Sequence, residues 1–445
     1  MQHHSTLPRL GLLALAMSAM LAAPAQAQSL QELFEGARAY DAAFSAAKLQ
    51  FDASQAKAAQ AKAGILPSVG VSAGVSRTNA DSNYDPIDKT SSSSNVTLAA
   101  NQPLYRPANR IAVEQAEQSL EVAQALLDSA EQDLIVRMAQ AYFDVLGAQD
   151  SVTFVQAQKK AVAEQLAAAK RNFEVGTATI TDTREAQARF DLVVAQEIAA
   201  ENDVRVKRLA LDQLVGKTGT APWKLATAAA LPALDPMAVE PWVERAENGH
   251  PGVRQASAGL AIAQLETQKA QAGHLPTLDA VAQYQVARNP NTSSSIPRDY
   301  LHNNNATIGL QFNLPLFAGY AIQNRVRETV ALEEKARADL DAAKRGTAQA
   351  TRAAFFGVVS GLGQVKALEA AEASSQSALD ANQLGYQVGV RINIDVLNAQ
   401  SQLYQTKASL AKARYDVLVG GLRLKQASGV LKSGDLQPIN ALLQP

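Results

Sequence analysis

Two kinds of hydrophobic periodicity alternate along the chain. Long stretches rich in Ala, Gln, Glu, Lys and Arg carry apolar residues at helical spacing, and Phe190, Val194 and Ile198 recur every four residues. Shorter segments switch to alternating apolar and polar residues, as between Val69 and Ser76. Alternation of this kind is typical of a β-strand with one apolar face. The pattern therefore predicts long helices and short strands in one chain.

The same order of elements occurs twice. The sequence AGILP at 63–67 corresponds to AGHLP at 272–276, and FEVG at 173–176 corresponds to YQVG at 386–389, an offset of about 213 residues. Each copy begins with a helix that ends at Leu-Pro, as a proline dictates. Two alternating segments follow, and then a long proline-free tract rich in helix-forming residues with a glycine near its middle. We infer an internal duplication in which each tract is a helical hairpin.

These patterns predict the domain boundaries. An apolar run at 10–23, followed by Ala25-Gln26-Ala27, predicts a signal peptide over residues 1–27. The first repeat is expected at 28–216, with a helix at 30–64, a β-hairpin at 67–105 and a helical hairpin at 107–216. A linker is expected at 217–240. The second repeat is expected at 241–430, with a helix at 241–273, a β-hairpin at 276–317 and a helical hairpin at 318–430, before a C-terminal tail at 431–445.

The four alternating segments predict transmembrane strands. Strands of about ten residues that are apolar on one face and polar on the other are typical of an outer membrane β-barrel. The polar connections at 79–94 and 289–303 suit extracellular loops. Four strands cannot close a barrel alone, so copies must share it, and strand counting allows a dimer or a trimer. The residues chosen as lipid-facing are Val71, Val75, Leu98, Tyr284, Ile308, Leu310 and Phe312.

Composition argues against an enzyme. The chain has no cysteine, and its formal net charge of −1 gives no basic bias for nucleic acid. The histidines of the mature chain are isolated, and no metal-ligand spacing is present. Gly216-Lys217-Thr218 looks like the end of a phosphate-binding loop, but Leu211 stands where that motif requires glycine. We therefore expect no catalytic residue, no metal and no cofactor.

The tip sequences resemble a known family. The run YQVGVRINIDVLN at 386–398, its counterpart at 173–182 and the duplicated plan resemble the TolC-like outer membrane efflux and type I secretion proteins. The resemblance implies a mixed α and transmembrane β fold, in which a homotrimer forms a 12-stranded outer membrane β-barrel and a periplasmic α-barrel of coiled-coil helices. It also implies a periplasmic adaptor, an inner-membrane ABC or proton-driven transporter, and a location in the outer membrane of a Gram-negative bacterium. In having no cysteine for lipidation, the sequence resembles the type I secretion branch of the family more than the lipoprotein branch.

The resemblance also implies roles for particular residues. In the closed state of the family, a tyrosine and an arginine near one tip bind an aspartate near the other. The gate residues so implied are Asp182, Tyr386, Arg391, Asp395 and Asn398, with Asn398 standing where relatives often have a second acid. The adaptor-docking tips so implied are Val175, Gly176, Thr177, Val388, Gly389 and Val390. From the residues alone, Asp182 also reads as a helix N-cap, with Glu185 completing a capping box.

Two other functions stay open from the sequence. A periplasmic coiled-coil structural protein would explain the long helices, and a self-sufficient porin would explain the strands. Neither explains both, whereas a passive outer membrane duct for efflux or type I secretion explains every segment. The transported substrate, the specific transporter and adaptor, and whether the duct is closed at rest are not encoded in a readable pattern.

Overall fold

The computed structural model describes residues 28–82, 85–226, 230–290 and 300–444. The predicted signal peptide lies outside these residues. Within them, the helices are α1 Leu30–Tyr40, α2 Ala42–Ala63, α3 Pro107–Glu174, α4 Ile180–Val215, α5 Glu240–Gly249, α6 Pro251–Gln271, α7 Ala321–Gln387, α8 Asn393–Ala427 and α9 Leu436–Asn440. The strands are β1 Ser68–Ser82, β2 Asp85–Tyr105, β3 Lys224–Leu225, β4 Thr277–Pro290, β5 Tyr300–Asn313 and β6 Leu443–Gln444.

The chain divides into two units by its internal contacts. One unit contains residues 28–47, 128–251 and 345–444, and the other contains 48–127 and 252–344. The first unit holds the reversals between α3 and α4 and between α7 and α8. The second unit holds the main sheet. The two candidate regions, the helix tips and the strand surface, are therefore each contained in one unit.

Two helices of the protein are very long. α3 has 68 residues and α7 has 67, which corresponds to about 100 Å each at 1.5 Å per residue. Pro107 occupies the first position of α3, where a missing N–H leaves no helical bond unmade. Since no proline follows until each hairpin has ended, the helices continue to the glycines that reverse the chain.

The main sheet is antiparallel, with the strand order β1-β2-β4-β5. The two hairpins, one from each repeat, are joined because β2 pairs with β4. Val71 lies opposite Leu98, Leu98 opposite Tyr284, and Tyr284 opposite Ala306, so the apolar positions of all four strands share one face. In the described part of the chain, β1 and β5 are the two edges of this sheet.

The strands are longer than the sequence predicts. The connections at 79–94 and 289–303 were expected to be loops, but β1 pairs with β2 as far as Ser82 and Asp85, and β4 pairs with β5 as far as Pro290 and Tyr300. Alternation ends where the side chains become polar, whereas the backbone ladder needs no apolar side chain. The described parts of these polar segments therefore continue the two hairpins as paired strands, while the rest of the predicted loops, 83–84 and 291–299, lies outside the described residues.

Two helices expected to be continuous are each broken by one residue. The predicted helix at 30–64 is interrupted at Asp41, whose carboxylate accepts a 2.7 Å hydrogen bond from the N–H of Phe44 and so starts α2. Arg137 donates to the same carboxylate at 3.1 and 3.2 Å, which holds the break in place. The predicted helix at 241–273 is interrupted at His250, because Pro251 follows it and disfavours helical backbone there.

The linker and the tail are paired with each other. β3 in the linker forms a two-stranded sheet with β6 in the C-terminal tail, through Lys224 opposite Gln444 and Leu225 opposite Leu443. The tail also contains α9, whose Leu436 and Ile439 are buried. The segments predicted as a linker and a tail therefore contain ordered elements of the first unit.

Candidate functional site

The two helix tips have the same backbone geometry. Gly176 and Gly389 have φ of 78° and 81°, a left-handed conformation that favours glycine. At the first tip the N–H of Thr177 donates to the carbonyl of Asn172 at 2.8 Å, and at the second the N–H of Val390 donates to Gly385 at 2.9 Å. This is the hydrogen bonding that ends a helix at a left-handed glycine. The duplication in sequence is therefore a duplication of tip structure.

Both tips expose apolar side chains. Val175, Val388 and Val390 are 73%, 65% and 75% exposed. Their apolar neighbours are also exposed, namely Phe173, Ile180, Leu384 and Ile392. A cluster of exposed apolar side chains at the end of a helical hairpin is a common feature of protein–protein contact surfaces.

Asp182 caps α4, but not in the predicted way. The helix starts at Ile180 with Thr179 as its N-cap, so Asp182 lies at the third helical position. The Thr179 N–H donates to the Asp182 carboxylate at 2.9 Å, and the Asp182 N–H donates to the Thr179 hydroxyl at 3.2 Å. The prediction of a box running from Asp182 to Glu185 was wrong by one turn, because Thr179 already has the extended backbone of a cap.

Arg391 and Asp395 pair with each other. Their closest side-chain atoms are 3.6 Å apart, and Arg391 is well exposed. The stem of Arg391 lies over Gly385, where a Cβ would come within 2.7 Å of the Arg391 Cγ. Glycine at 385 therefore leaves room for this arginine. Within the protomer, the structure does not bring Arg391 to Asp182, so the pairing implied by the resemblance is not formed there.

Tyr386 and Asn398 each bind the first repeat. The amide of Asn172 donates to the hydroxyl of Tyr386 at 3.3 Å. The guanidinium of Arg189 donates to the amide oxygen of Asn398 at 2.8 Å. The residue that stands in place of the second acid thus accepts a hydrogen bond from a cation on α4. Asn172 and Arg189 were not predicted from the sequence.

Asn393 is the main residue of the tip region that sequence reasoning missed. It is only 1% exposed, its amide nitrogen donates to the carbonyl of Asp182 at 3.4 Å, and its oxygen accepts a hydrogen bond from Gln165. The repeat offered a signal, since Ile180 stands at the equivalent position of the first copy and is exposed. A polar residue replacing an apolar one between the copies can mark a contact that only one copy makes.

The packing behind the tips differs between the two sides of α8. Leu397 of α8 joins an aliphatic cluster with Val162, Leu166, Ala186 and Val193 of the first hairpin. The other side of α8, towards α7, combines an apolar cluster of Leu379, Val396 and Leu403 with ion pairs. These pairs are Glu369–Arg414 at 2.8 Å and Glu372–Lys407 at 3.9 Å. Towards α7, α8 is therefore held by ion pairs as well as by apolar packing.

A half-buried carboxylate, Asp150, lies farther along the same helices. The hydroxyl of Tyr415 donates to Asp150 at 2.6 Å, and the ring of Tyr415 stacks on Phe143 with centroids 5.5 Å apart. Burial raises the pKa of Asp150, although the hydrogen bond from Tyr415 and the charge of Lys224 partly oppose this. Burial and the Asp150 charge also raise the pKa of Tyr415. The pair links α3 to α8.

The seven residues predicted to face lipid share the apolar face of the sheet. All have exposed side chains, from 46% for Leu98 to 89% for Ile308. On the opposite face Thr97, Asp279 and Ala287 are buried. That the apolar face contacts lipid stays a prediction.

Neither a metal-binding cluster nor a membrane-spanning helix is found among the described residues. No group of three or more His, Asp or Glu side chains in this part of the chain could hold a metal ion. No helix among these residues is long and apolar enough to cross a membrane.

Sequence comparisons identify relatives over nearly the whole chain. The family model for outer membrane efflux proteins matches residues 33–217 and 242–430. Outer membrane protein TolC of Vibrio cholerae is 31% identical over 420 residues, which is 94% of this chain and 94% of that protein. Proteases secretion protein PrtF of Dickeya chrysanthemi is 29% identical over 437 residues, which covers 94% of this chain and 92% of PrtF.

Solved structures show the same fold at lower identity. The outer membrane protein VceC of Vibrio cholerae gives a TM-score of 0.76 at 18% identity, covering 90% of this chain and 96% of VceC. The CmeC outer membrane channel of Campylobacter jejuni gives 0.77 at 15% identity, covering 93% of this chain and 90% of CmeC. The predicted fold class, a tunnel of long helices joined to a β-barrel to which each chain gives four strands, is confirmed.

The family consists of transport channels and is not an enzyme family. Membership implies homotrimeric assembly and partnership with adaptors and inner-membrane transporters. It also locates the protein in the outer membrane of a Gram-negative bacterium, reaching into the periplasm. With the family model on both repeats and TolC at 31% identity, this chain belongs to the outer membrane efflux protein family and is an outer membrane channel for efflux and type I secretion.

Proposed function

We propose that this channel is a passive duct that is gated at its helix tips. The edges β1 and β5 must be paired in lipid, so copies share one barrel. With the homotrimer of the family, three copies of four strands form a 12-stranded barrel. An ABC or proton-driven transporter in the inner membrane, bridged by a periplasmic adaptor, delivers the substrate. The duct supplies a path and no chemistry.

The observation that carries the gate is a set of polar contacts between the two repeats at the tips. Asn172 binds Tyr386, Arg189 binds Asn398, and the carbonyl of Asp182 accepts from Asn393. Hydrogen bonds of this kind contribute about 1 kcal/mol each. Together they can hold the second hairpin against the first, yet an adaptor that binds the tips can overcome them.

Arg391 and Asp395 form the part of the gate that can be rearranged. Their pair is exposed, so it contributes about 0–1 kcal/mol and can be exchanged for another partner at low cost. In a trimer, three copies of Asp395 surround one axis, and a ring of carboxylates favours multivalent cations. Asp395→Ala should therefore weaken block of the channel by trivalent cations in bilayer recordings.

The exposed valines are the proposed docking surface for the adaptor. The two turns present Val175, Val388 and Val390 around Gly176 and Gly389. These valines bond locally only through their backbone N–H groups, which an Asp substitution keeps, so their side chains are available to a partner. A charge placed on them should disrupt an apolar contact with a partner and leave the turn intact. Thr177 is different, because its hydroxyl donates to the carbonyl of Asn172 at 3.1 Å. Its role is therefore partly structural.

The test replaces the chromosomal copy with tip variants in the native host. Val175→Asp and Val390→Asp are compared with Met237→Asp, which puts the same charge on an apolar side chain that is 85% exposed and lies outside the tips. Two readouts are taken, namely survival in dyes and detergents for efflux, and protein secretion into the medium for type I secretion. Trimers in the outer membrane are quantified in parallel.

Both tip variants should lose efflux and secretion while trimer levels stay normal, and the Met237→Asp variant should export normally. Normal export by both tip variants would remove the docking assignment. Loss of trimers would assign the valines to folding. Wild-type protein that conducts freely in bilayers without any partner would favour a self-sufficient porin.

A further inference from the structure

The outward face of the sheet has a defined order from one end to the other. It begins at Leu278 opposite Phe312, near the strand ends that lead into the helices. The rows that follow are Gln102–Ala280–Leu310, Val69–Ala100–Ala282–Ile308, Val71–Leu98–Tyr284–Ala306 and Ala73–Val96–Val286–Asn304, in which Gln102 and Asn304 are the polar members. The next row is different, because Arg288 lies opposite His302 there.

The cations of the sheet are concentrated at this height. Arg288 shares its row with Ser94, Val75 and His302, and Arg77 projects from the same face two residues beyond Val75. Arg77, Arg288 and His302 all have exposed side chains. Among the strand residues whose side chains are described, Arg77 and Arg288 are the arginines of the sheet, and no lysine occurs there.

The height matches the thickness of a membrane. Ten residues separate Leu278 from Arg288, or about 33 Å along a strand. At the tilt usual for barrels this rises about 25 Å, the height of the apolar band of an outer membrane barrel. Pro107 starts a long helix just beyond the opposite end of β2, so that end is periplasmic. The row of Arg288 therefore lies at the outer surface of the membrane.

The opposite face of the sheet carries a different set of side chains. Its described side chains are mostly Gly, Ser, Thr, Asn and Gln. Its acid, Asp279, lies near the periplasmic end and is bound by Arg106 at 2.6 and 2.8 Å. Arg77 and Arg288 lie on the apolar face instead, in the rows at the outer end of the apolar band.

We propose that Arg77, Arg288 and His302 bind the phosphate groups of an outer-leaflet lipid. Guanidinium groups bind phosphate oxygens through two parallel hydrogen bonds, and their apolar stems can lie along the hydrocarbon boundary. Closing the barrel places β5 of one copy beside β1 of the next, so each subunit boundary brings Arg288 and His302 towards Arg77 of a neighbouring copy. The ligand is a glycolipid that carries phosphate on its head group.

The test measures lipid binding to the purified trimer by native mass spectrometry. Three probes are used, namely bisphosphorylated lipid A, the same lipid without its phosphates, and inorganic phosphate. The variant is Arg77→Gln/Arg288→Gln. Arg205→Gln/Lys335→Gln is the matched control, since it removes two exposed cations from helices. Arg77→Lys/Arg288→Lys keeps the charge and removes the guanidinium groups, which can each make two parallel hydrogen bonds to phosphate. Because the instrument reports the mass of each trimer, misassembled protein is not counted.

The bisphosphorylated lipid should bind about 25-fold more weakly to the glutamine variant, at about fivefold for each arginine near a charged head group. The affinity of the lysine variant for this lipid should lie between those of the wild type and the glutamine variant, and the control variant should bind as tightly as the wild type. The phosphate-free lipid should bind wild type and glutamine variant equally weakly. Equal binding of the phosphorylated lipid to wild type and glutamine variant overturns the proposal. Inorganic phosphate that binds as tightly as the lipid also overturns it, in favour of a free-anion site.

Discussion

Truncation of Asn393 should loosen the tip of the second hairpin. The side chain is 1% exposed and makes two hydrogen bonds, with Gln165 and with the carbonyl of Asp182. Asn393→Ala removes both and leaves the amide of Gln165 without its acceptor. At about 1 kcal/mol for each bond and a desolvation penalty for the orphaned amide, the expected loss is about 2–3 kcal/mol. The loss should be local, because the aliphatic cluster around Leu397 remains.

Hydrogen–deuterium exchange at the start of α8 measures this loss directly. A decrease of 2–3 kcal/mol corresponds to exchange that is roughly 30- to 150-fold faster through local opening. Asn382→Ala is the matched control, since Asn382 bonds only to a carbonyl of its own helix, at 2.8 Å. In a double-mutant cycle with Gln165→Ala, the coupling energy should be about 1 kcal/mol. Unchanged exchange in Asn393→Ala, or zero coupling with Gln165, would refute the reasoning.

Three further perturbations test other contacts. Asp150→Asn should raise the Tm of the trimer near neutral pH but not in acid. Burial raises the pKa of Asp150, so folding disfavours its charged form, which is absent in acid. An equal gain in Tm at both pH values would contradict this. Asp41→Ala should cost about 1–3 kcal/mol in chemical denaturation, since α2 loses its cap and Arg137 its partner. Burial alone would raise the pKa of Asp41, but the hydrogen bond from Arg137 lowers it overall, so this cost should disappear as the pH falls through that pKa. Gly389→Val should speed hydrogen–deuterium exchange at the second tip, because valine in the left-handed conformation costs about 1–2 kcal/mol of backbone strain, whereas Gly389→Asn should be tolerated. Equal effects of the two substitutions would exclude a backbone cause.

The sequence predicted the parts of the fold that repeat. Alternation at 69–76 and its three counterparts predicted four strands, and the glycines at 176 and 389 predicted the two reversals, because period and turn chemistry are local properties. The sequence did not predict the break at Asp41. A single aspartate in a run of helix formers caps a new helix there, and Arg137, nearly a hundred residues later, holds its carboxylate in place.

At the candidate gate, too, the sequence identified individual residues but not the contacts that they make. The motif found Tyr386, Arg391 and Asp395, but it could not show that Arg391 lies over Gly385 and pairs with Asp395. Asn393 stands inside the quoted motif and went unassigned, because its partners on α3 and α4 are defined only by packing. The cap of α4 was misplaced by one turn, since threonine and aspartate can both fill that role.

The measurement that tests the central claim most directly is the conductance of the purified trimer in planar bilayers. Wild type is recorded beside Arg391→Ser, with Arg205→Ser as a control for an exposed arginine away from the tips. A duct closed at its tips should show a small wild-type conductance that rises markedly in Arg391→Ser and stays small in Arg205→Ser. A large wild-type conductance that neither substitution changes would contradict gating at the tips.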